Sequence, residues 1–155
     1  MRQVIASLAL IFATMSASLA VAQPYELDIR SDSLNLDNSS DNAVFEGNVI
    51  VVHDELTLKA DKVDVFYEQT DEGRSVDIVK AYGNVHMDDG ERVATGERAV
   101  YNPGKEHVTL FDNVKVTQEE DQTLYGTKML YDMAAGRITM SSGQNRVRAK
   151  LGGNE

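Results

Sequence analysis

The feature that most constrains this chain is a repeated alternation of apolar and polar residues that changes phase at a small residue. Four segments have this pattern: 27–36, 56–65, 92–101 and 122–131. The phase changes at Ser31, Ala60, Gly96 and Gly126. Since side chains alternate between the two faces of a strand, the shift would reverse the faces unless a bulge or corner takes up an extra residue. Each segment is therefore predicted to be two short strands joined by a bend.

A second type of segment alternates with the first and also predicts bends. It contains Gly47-Asn48, Gly83-Asn84 and Asp112-Asn113 between apolar residues, and these pairs tolerate positive φ. Turn-forming residues separate the segments, and no stretch has a sustained helical period. The chain is predicted to be all-β, with about 14 to 16 short strands. Serial bent hairpins favour two facing antiparallel sheets, arranged as a sandwich, a jelly roll or a short solenoid.

Length and charge exclude several classes of protein. With 155 residues the chain is long enough for one domain. It has no Cys, which excludes disulfides, zinc ribbons and thiolate catalysis. The net charge of -10 argues against a nucleic-acid partner, because such binding depends on Lys and Arg at phosphates.

The N-terminus resembles a secretory signal peptide. Arg2 precedes an apolar run, and Ala20-Val21-Ala22 supplies small residues where a signal peptidase cleaves. Residues 1–22 are predicted to be removed, which leaves residues 23–155 as a single exported domain. An uncleaved N-terminal anchor is the alternative.

One face of the predicted strands is apolar, and it admits two interpretations. The residues are either an ordinary closed core or the lining of an open slot for hydrocarbon chains. The second interpretation rests on the scarcity of bulky side chains, since aromatic residues make up 6% and Trp is absent. The candidate lipid-binding residues are Leu27, Ile29, Leu34, Leu36, Phe45, Val49, Val51, Leu56, Leu58, Val63, Val65, Val85, Met87, Tyr101, Leu110, Val114, Leu124, Met129 and Tyr131. A charge at Ile29 or Leu58 is expected to abolish lipid capture and leave a folded protein.

The first and last strands are predicted to be sheet edges, which offer unpaired backbone groups to a partner or a second copy. The alternative is that loops cap them. The candidate edge residues are Leu27, Asp28, Ile29, Arg30, Arg146, Val147 and Arg148. Residues 133–154 contain four basic residues and no acidic one. Positive charge there either keeps the edge strand from aggregating or is complementary to the acidic surface of a partner.

No catalytic, metal-binding or cofactor-binding motif is found. His53, His86 and His107 have no neighbouring ligand at metal-site spacing, and they are expected to be solvated strand or turn residues. The chain is therefore predicted not to be an enzyme, and to need no metal or cofactor.

Three runs of the sequence resemble, in order and spacing, the periplasmic lipopolysaccharide-transport protein A family, also called OstA-like. They are Phe45-Glu46-Gly47-Asn48-Val49, Leu58-Lys59-Ala60-Asp61-Lys62 and Tyr82-Gly83-Asn84-Val85. The resemblance implies a β-jelly roll shaped like a twisted V, whose apolar interior carries the acyl chains of lipopolysaccharide. It places lipid contacts at Leu27 and Ile29 and an interior tyrosine at Tyr101.

The resemblance also implies partners and a location in the periplasm. An inner-membrane-anchored subunit of the same fold would dock at the N-terminal edge, the outer-membrane translocon would dock at the C-terminal edge, and copies would stack head to tail. The predicted function is lipopolysaccharide transport between the two membranes of a Gram-negative envelope. The alternative is a periplasmic β-sandwich scaffold or glycan-binding module without lipid cargo.

Overall fold

The structure is a computed structural model that describes residues 26–37, 39–118 and 122–152. The predicted signal peptide, residues 1–22, lies outside the described residues. The described chain forms ten strands and one short 3₁₀ turn, Pro103–Lys105. The strands are β1 Asp28–Arg30, β2 Ser33–Asp37, β3 Asn42–His53, β4 Leu56–Thr70, β5 Gly73–Asp88, β6 Arg92–Asn102, β7 His107–Gln118, β8 Gln122–Asp132, β9 Arg137–Ser141 and β10 Arg148–Leu151.

All strand pairs are antiparallel and belong to one hydrogen-bonded sheet, in the order β1-β3-β4-β5-β6-β7-β8-β10. Strand β2 also pairs with β3, and β9 also pairs with β8. The all-β prediction is confirmed. The predicted count of strands was too high, because the bends lie inside strands of 11 to 16 residues and do not end them.

The bends lie where the repeat places them. The register of paired strands shifts at Glu46/Val49, Lys59/Lys62, Tyr82/Val85, Thr95/Arg98 and Phe111/Val114. Asn48, Asn84 and Asn113 have φ values of 45, 47 and 49°, in the left-handed region. The prediction of positive φ at these asparagines is confirmed.

Three hydrogen bonds at the bends join an asparagine to a carboxylate on a neighbouring segment. We call these three pairs the corner rungs: Asn48 with Asp32, Asn84 with Asp61, and Asn113 with Glu97. In the second rung, Asn84 Nδ2 donates to Asp61 Oδ2 at 2.7 Å. Gly83 is required beside it, because a Cβ there would lie 2.5 Å from the same oxygen. The rungs explain why a carboxylate follows the small residue in three of the four repeats.

The line of bends divides the sheet into two halves that face each other. Half A consists of residues 33–37, 42–46, 62–82, 98–111 and 128–141. Half B consists of residues 28–30, 49–60, 85–96, 114–118, 122–126 and 148–151. The two facing sheets of the prediction are thus halves of one sheet, because hydrogen bonding resumes beyond every bulge.

Candidate functional site

The inner surfaces of the two halves form one apolar cluster. Most candidate lipid-binding residues belong to it and are at most 6% exposed: Val49, Val51, Leu56, Leu58, Val63, Val65, Val85, Met87, Tyr101, Leu110, Val114, Met129 and Tyr131. The sequence analysis missed Ala43, Ala60, Val79, Ala81 and Ala94, which are also buried there. Alternation in β5 could have identified Val79 and Ala81, because they continue the inward series of Val85 and Met87 across the bend.

The middle of the interior is closed in this structure. Val63, Val79 and Leu110 are fully buried, and so are Leu58 and Met87 from the opposite half, at 1% exposure or less. Their side chains fill the space between the halves, so among these residues the structure has the closed core of the first interpretation and not the open slot of the second. Valine, alanine and leucine are sufficient to fill a narrow interior, even though aromatic rings are scarce.

The apolar interior is exposed at the N-terminal end. Leu34 lies opposite Phe45 in the register, and Leu36 lies opposite Ala43. Directly opposed side chains share a face, so both leucines lie on the inner side of half A. They are nevertheless 51% and 62% exposed, since β2 is an edge strand. On half B, Leu27 and Ile29 are half-buried against the same cluster.

The C-terminal end has a similar arrangement. Leu151 is 70% exposed, and Leu124, Ile138 and Met140 are partly buried against the core. The last strand begins at Arg148, so the predicted edge residues Arg146 and Val147 lie before it rather than in it. Each end has two short edge strands, one per half, which the sequence analysis did not foresee.

On the side opposite the bends, the free margins of the two halves meet. We call this side the open margin. His53, at the end of β3 in half B, is hydrogen-bonded through Nδ1 to the hydroxyl of Tyr101 in half A. His53 is buried, so the expectation of a solvated histidine was wrong. The signal was present in the alternation, because His53 continues the inward series of Val49 and Val51.

A second contact across the open margin centres on Arg92 of half B. Its Nη1 donates to Asp89 Oδ2 at 3.0 Å and to the Tyr131 hydroxyl of half A at 3.1 Å. Asp89 Oδ1 accepts from the backbone N–H groups of Arg92 and Glu91, at 2.6 and 3.0 Å. The side chains of Arg92 and Asp89 are 13% and 8% exposed, so this charge pair is shielded from solvent.

Burial and hydrogen bonding set the ionisation of this group. Burial raises the pKa of the Asp89 carboxyl, but hydrogen bonds from Tyr131, from two backbone N–H groups and from Arg92 outweigh it and lower the pKa below its usual value. Burial, followed by the hydrogen bond and charge of Asp89, raises the pKa of the Tyr131 hydroxyl. Asp89 is therefore ionised and Tyr131 neutral at pH 7.

Beside this contact lies an acidic depression of about 520 Å³ that opens on the margin. It is lined from half B by Asp54, Glu55 and Glu91, and from half A by Glu106 and Met133. A backbone hydrogen bond from Met133 N to Glu106 O at 2.9 Å fixes the half A wall. The margin therefore combines two polar contacts with a concave acidic surface.

Replacing Asp89 by Asn is expected to lower the free energy of unfolding at pH 7 by about 2 kcal/mol, because charge-assisted hydrogen bonds become neutral ones. The pKa of Asp89 is lower in the folded protein than in the unfolded chain, where it is near 3.9. The ionised carboxylate therefore stabilises the folded state above that pH, and this stabilisation is lost as the pH falls through the folded-state pKa. The difference between wild type and Asp89→Asn should therefore shrink below about pH 4. Urea unfolding over a pH series measures it, and a pH-independent difference would contradict this account.

Other kinds of site find no support in the described part of the chain. It contains no cluster of three or more His, Cys, Asp or Glu residues that could hold a metal ion. None of its segments is a helix long and apolar enough to span a membrane.

Comparison with known proteins identifies one family, that of lipopolysaccharide transport proteins. Residues 28–137 match the family described as the LptA/(LptD N-terminal domain) LPS transport protein. The chain is 27% identical over 138 residues to the lipopolysaccharide export system protein LptA of Haemophilus influenzae, covering 84% of this chain and 78% of that protein. It is 29% identical over 154 residues to an uncharacterized protein of Rhizobium meliloti, covering 95% of this chain and 83% of that protein.

A solved structure has a similar fold. The crystal structure of LptH from Pseudomonas aeruginosa, described as the LptA homologous periplasmic component of the lipopolysaccharide transport device, matches with a TM-score of 0.71. It is 22% identical in sequence, and the match covers 83% of this chain and 96% of LptH. The match supports the β-jelly-roll fold.

Proposed function

Because the chain belongs to the LptA/LptD N-terminal domain family of lipopolysaccharide transport proteins, we propose that it binds lipopolysaccharide in the periplasm and shields the acyl chains between its two sheet halves. The observation that carries this proposal is the apolar interior, which runs from the exposed Leu34 and Leu36 at one end to the exposed Leu151 at the other. An ordinary closed core would end in polar residues at both sheet edges.

The packed interior requires the halves to separate before acyl chains can enter. Separation at the bends would break strand pairing held by the corner rungs. Separation at the open margin requires the loss of the His53–Tyr101 and Arg92–Tyr131 contacts and of the packing behind them. We propose that the acyl chains enter there, with the candidate lipid-binding residues lining the opened interior.

The edge strands support the proposed partners. The exposed edges β1 and β2 at one end, and β9 and β10 at the other, offer unpaired backbone groups for strand addition. In the proposal, an inner-membrane-anchored subunit docks at Leu27–Arg30 and the outer-membrane translocon docks near Arg148. Copies stack head to tail to bridge the two membranes. Export by cleavage after Ala22 would deliver the domain, residues 23–155, to the periplasm.

The test is mass spectrometry of copurified lipid from cells that make lipopolysaccharide. Wild type should carry lipopolysaccharide, and Ile29→Asp should retain at least tenfold less, since a carboxylate at this half-buried position in the N-terminal end of the interior is costly beside an acyl chain. Val100→Asp is the matched control, because Val100 is half-buried on the outer surface of half A. It should retain lipid as wild type does.

The outcomes separate the proposal from its alternative. A wild-type protein that is folded but free of lipid would favour the scaffold or glycan-binding module without lipid cargo. Equal retention by Ile29→Asp and Val100→Asp would show that lipid binds outside the interior. Circular dichroism should give the same β-rich spectrum for all three proteins.

A further inference from the structure

The outer surface of half B carries a row of basic residues that only the folded sheet brings together. Directly opposed residues continue it without a break across eight strands: Arg30, Ile50, Lys59, His86, Thr95, Lys115, Tyr125 and Arg148. We call it the basic row. Seven strand spacings make it roughly 34 Å long. It has four Lys or Arg residues and no acid, although the chain has a net charge of -10.

The basic side chains of this row are accessible. All four Lys and Arg residues are exposed. Arg30 is paired with Asp28 at 2.6 Å, and Arg148 stacks on the neighbouring tyrosine ring. Within the described residues, Lys59 and Lys115 form no ion pair. These two lysines are therefore available to an anionic ligand.

Two depressions lie between the basic row and the corner rungs. Their volumes are about 230 and 320 Å³. The polar residues of the first include Lys59, Asp61 and Asn84, and those of the second include His86, Glu97 and Asn113. Each depression thus combines a basic side chain, Lys59 or His86, with a carboxylate and a carboxamide.

One polar atom in the second depression is unsatisfied. His86 Nδ1 is buried, and no described residue is hydrogen-bonded to it. A turn of the His86 ring toward the depression would let a ligand hydroxyl supply the missing hydrogen bond.

We propose that the basic row and these two depressions bind an extended acidic glycan on the outside of the protein, independently of the lipid in the interior. Carboxylates, carboxamides and imidazole are hydrogen-bonding partners for sugar hydroxyls, and Lys59 and Lys115 would pair with acidic substituents. The depressions repeat after two strands, about 10 Å, which suits a ligand with a repeating unit. A flat anionic membrane fits less well, because its surface would not enter the two depressions.

The binding test uses NMR on the full domain, titrated with a size-defined oligogalacturonate, a linear chain with one carboxylate on each sugar ring. The His86 ring signals should shift, while those of His53 in the interior and His107 on half A stay unchanged. A maltooligosaccharide of equal length, which lacks carboxylates, should bind more weakly, and added salt should weaken only the acidic ligand.

Matched variants locate the site. Lys59→Gln with Lys115→Gln should weaken binding roughly fivefold to tenfold, since two exposed charge pairs are lost. Lys80→Gln with Lys128→Gln removes the same charge from the outer surface of half A and should change affinity less than twofold. Equal effects of both pairs, or unchanged His86 signals, would overturn the proposal. So would binding to phosphatidylglycerol-containing vesicles without binding to the oligogalacturonate.

Discussion

A covalent bridge across the open margin is expected to abolish lipopolysaccharide uptake by purified, lipid-free protein. Glu55 of half B and Met133 of half A line the same depression, and the chain has no native Cys, so cysteines at these two positions can be linked by a flexible bis-maleimide. Since the middle of the interior is packed, the proposed entry of acyl chains requires the halves to separate. The bridge should lower uptake at least about tenfold, measured with fluorescently labelled lipopolysaccharide.

Two controls isolate the effect of closure. The same linker between cysteines at Glu55 and Glu91, both on half B, leaves the margin free and should leave uptake unchanged. A linker that contains a disulfide should restore uptake when it is cleaved by reductant. Uptake by the bridged protein at the unbridged rate would contradict entry through the open margin.

Leu58→Asp is expected to unfold the domain. Leu58 is 1% exposed, between the two halves, so the substitution deletes a buried leucine and introduces a carboxyl group without a partner. We expect a loss of at least about 5 kcal/mol, as much as the total stability of many small domains. Urea unfolding followed by circular dichroism measures this loss.

Leu58→Ala separates the two causes of this loss of stability, which are the missing leucine side chain and the buried carboxyl group. It creates the cavity without the charge and should cost about 3 kcal/mol, leaving a folded protein. The sequence alone predicts that a charge at Leu58 abolishes lipid capture in a folded protein, whereas the burial of Leu58 predicts unfolding. A cooperative unfolding transition for Leu58→Asp near that of wild type would contradict the packed interior.

The fold was predictable because its main constraint is local. A phase change at a small residue, followed on the next strand by Gly-Asn or Asp-Asn, is visible within a few residues, and the structure places a bend at each of them. What the sequence did not reveal is that strand pairing continues through the bend. The contacts at the bends join residues far apart in sequence, such as Asn84 and Asp61, which are 23 residues apart.

The candidate site was predictable only in part, for a similar reason. Alternation identifies which residues point inward, and it would have included His53 had the inward series been followed to the end of β3. Alternation does not show whether the interior is open or packed, because that depends on the spacing of the two halves. Nor does it show the basic row, whose neighbours Lys59 and His86 are brought together by register alone.

The corner rungs have a mechanical consequence for the proposed carriage of a lipid. The bend is a series of separate corners, three of which have a rung, and each rung joins only the strands beside it. One section of the interior can therefore widen while the sections before and after it stay shut, at the cost of the margin contacts and packing of that section alone. In the proposed function, the widened section would move along the interior together with the bound lipid, and the acyl chains would stay surrounded by protein.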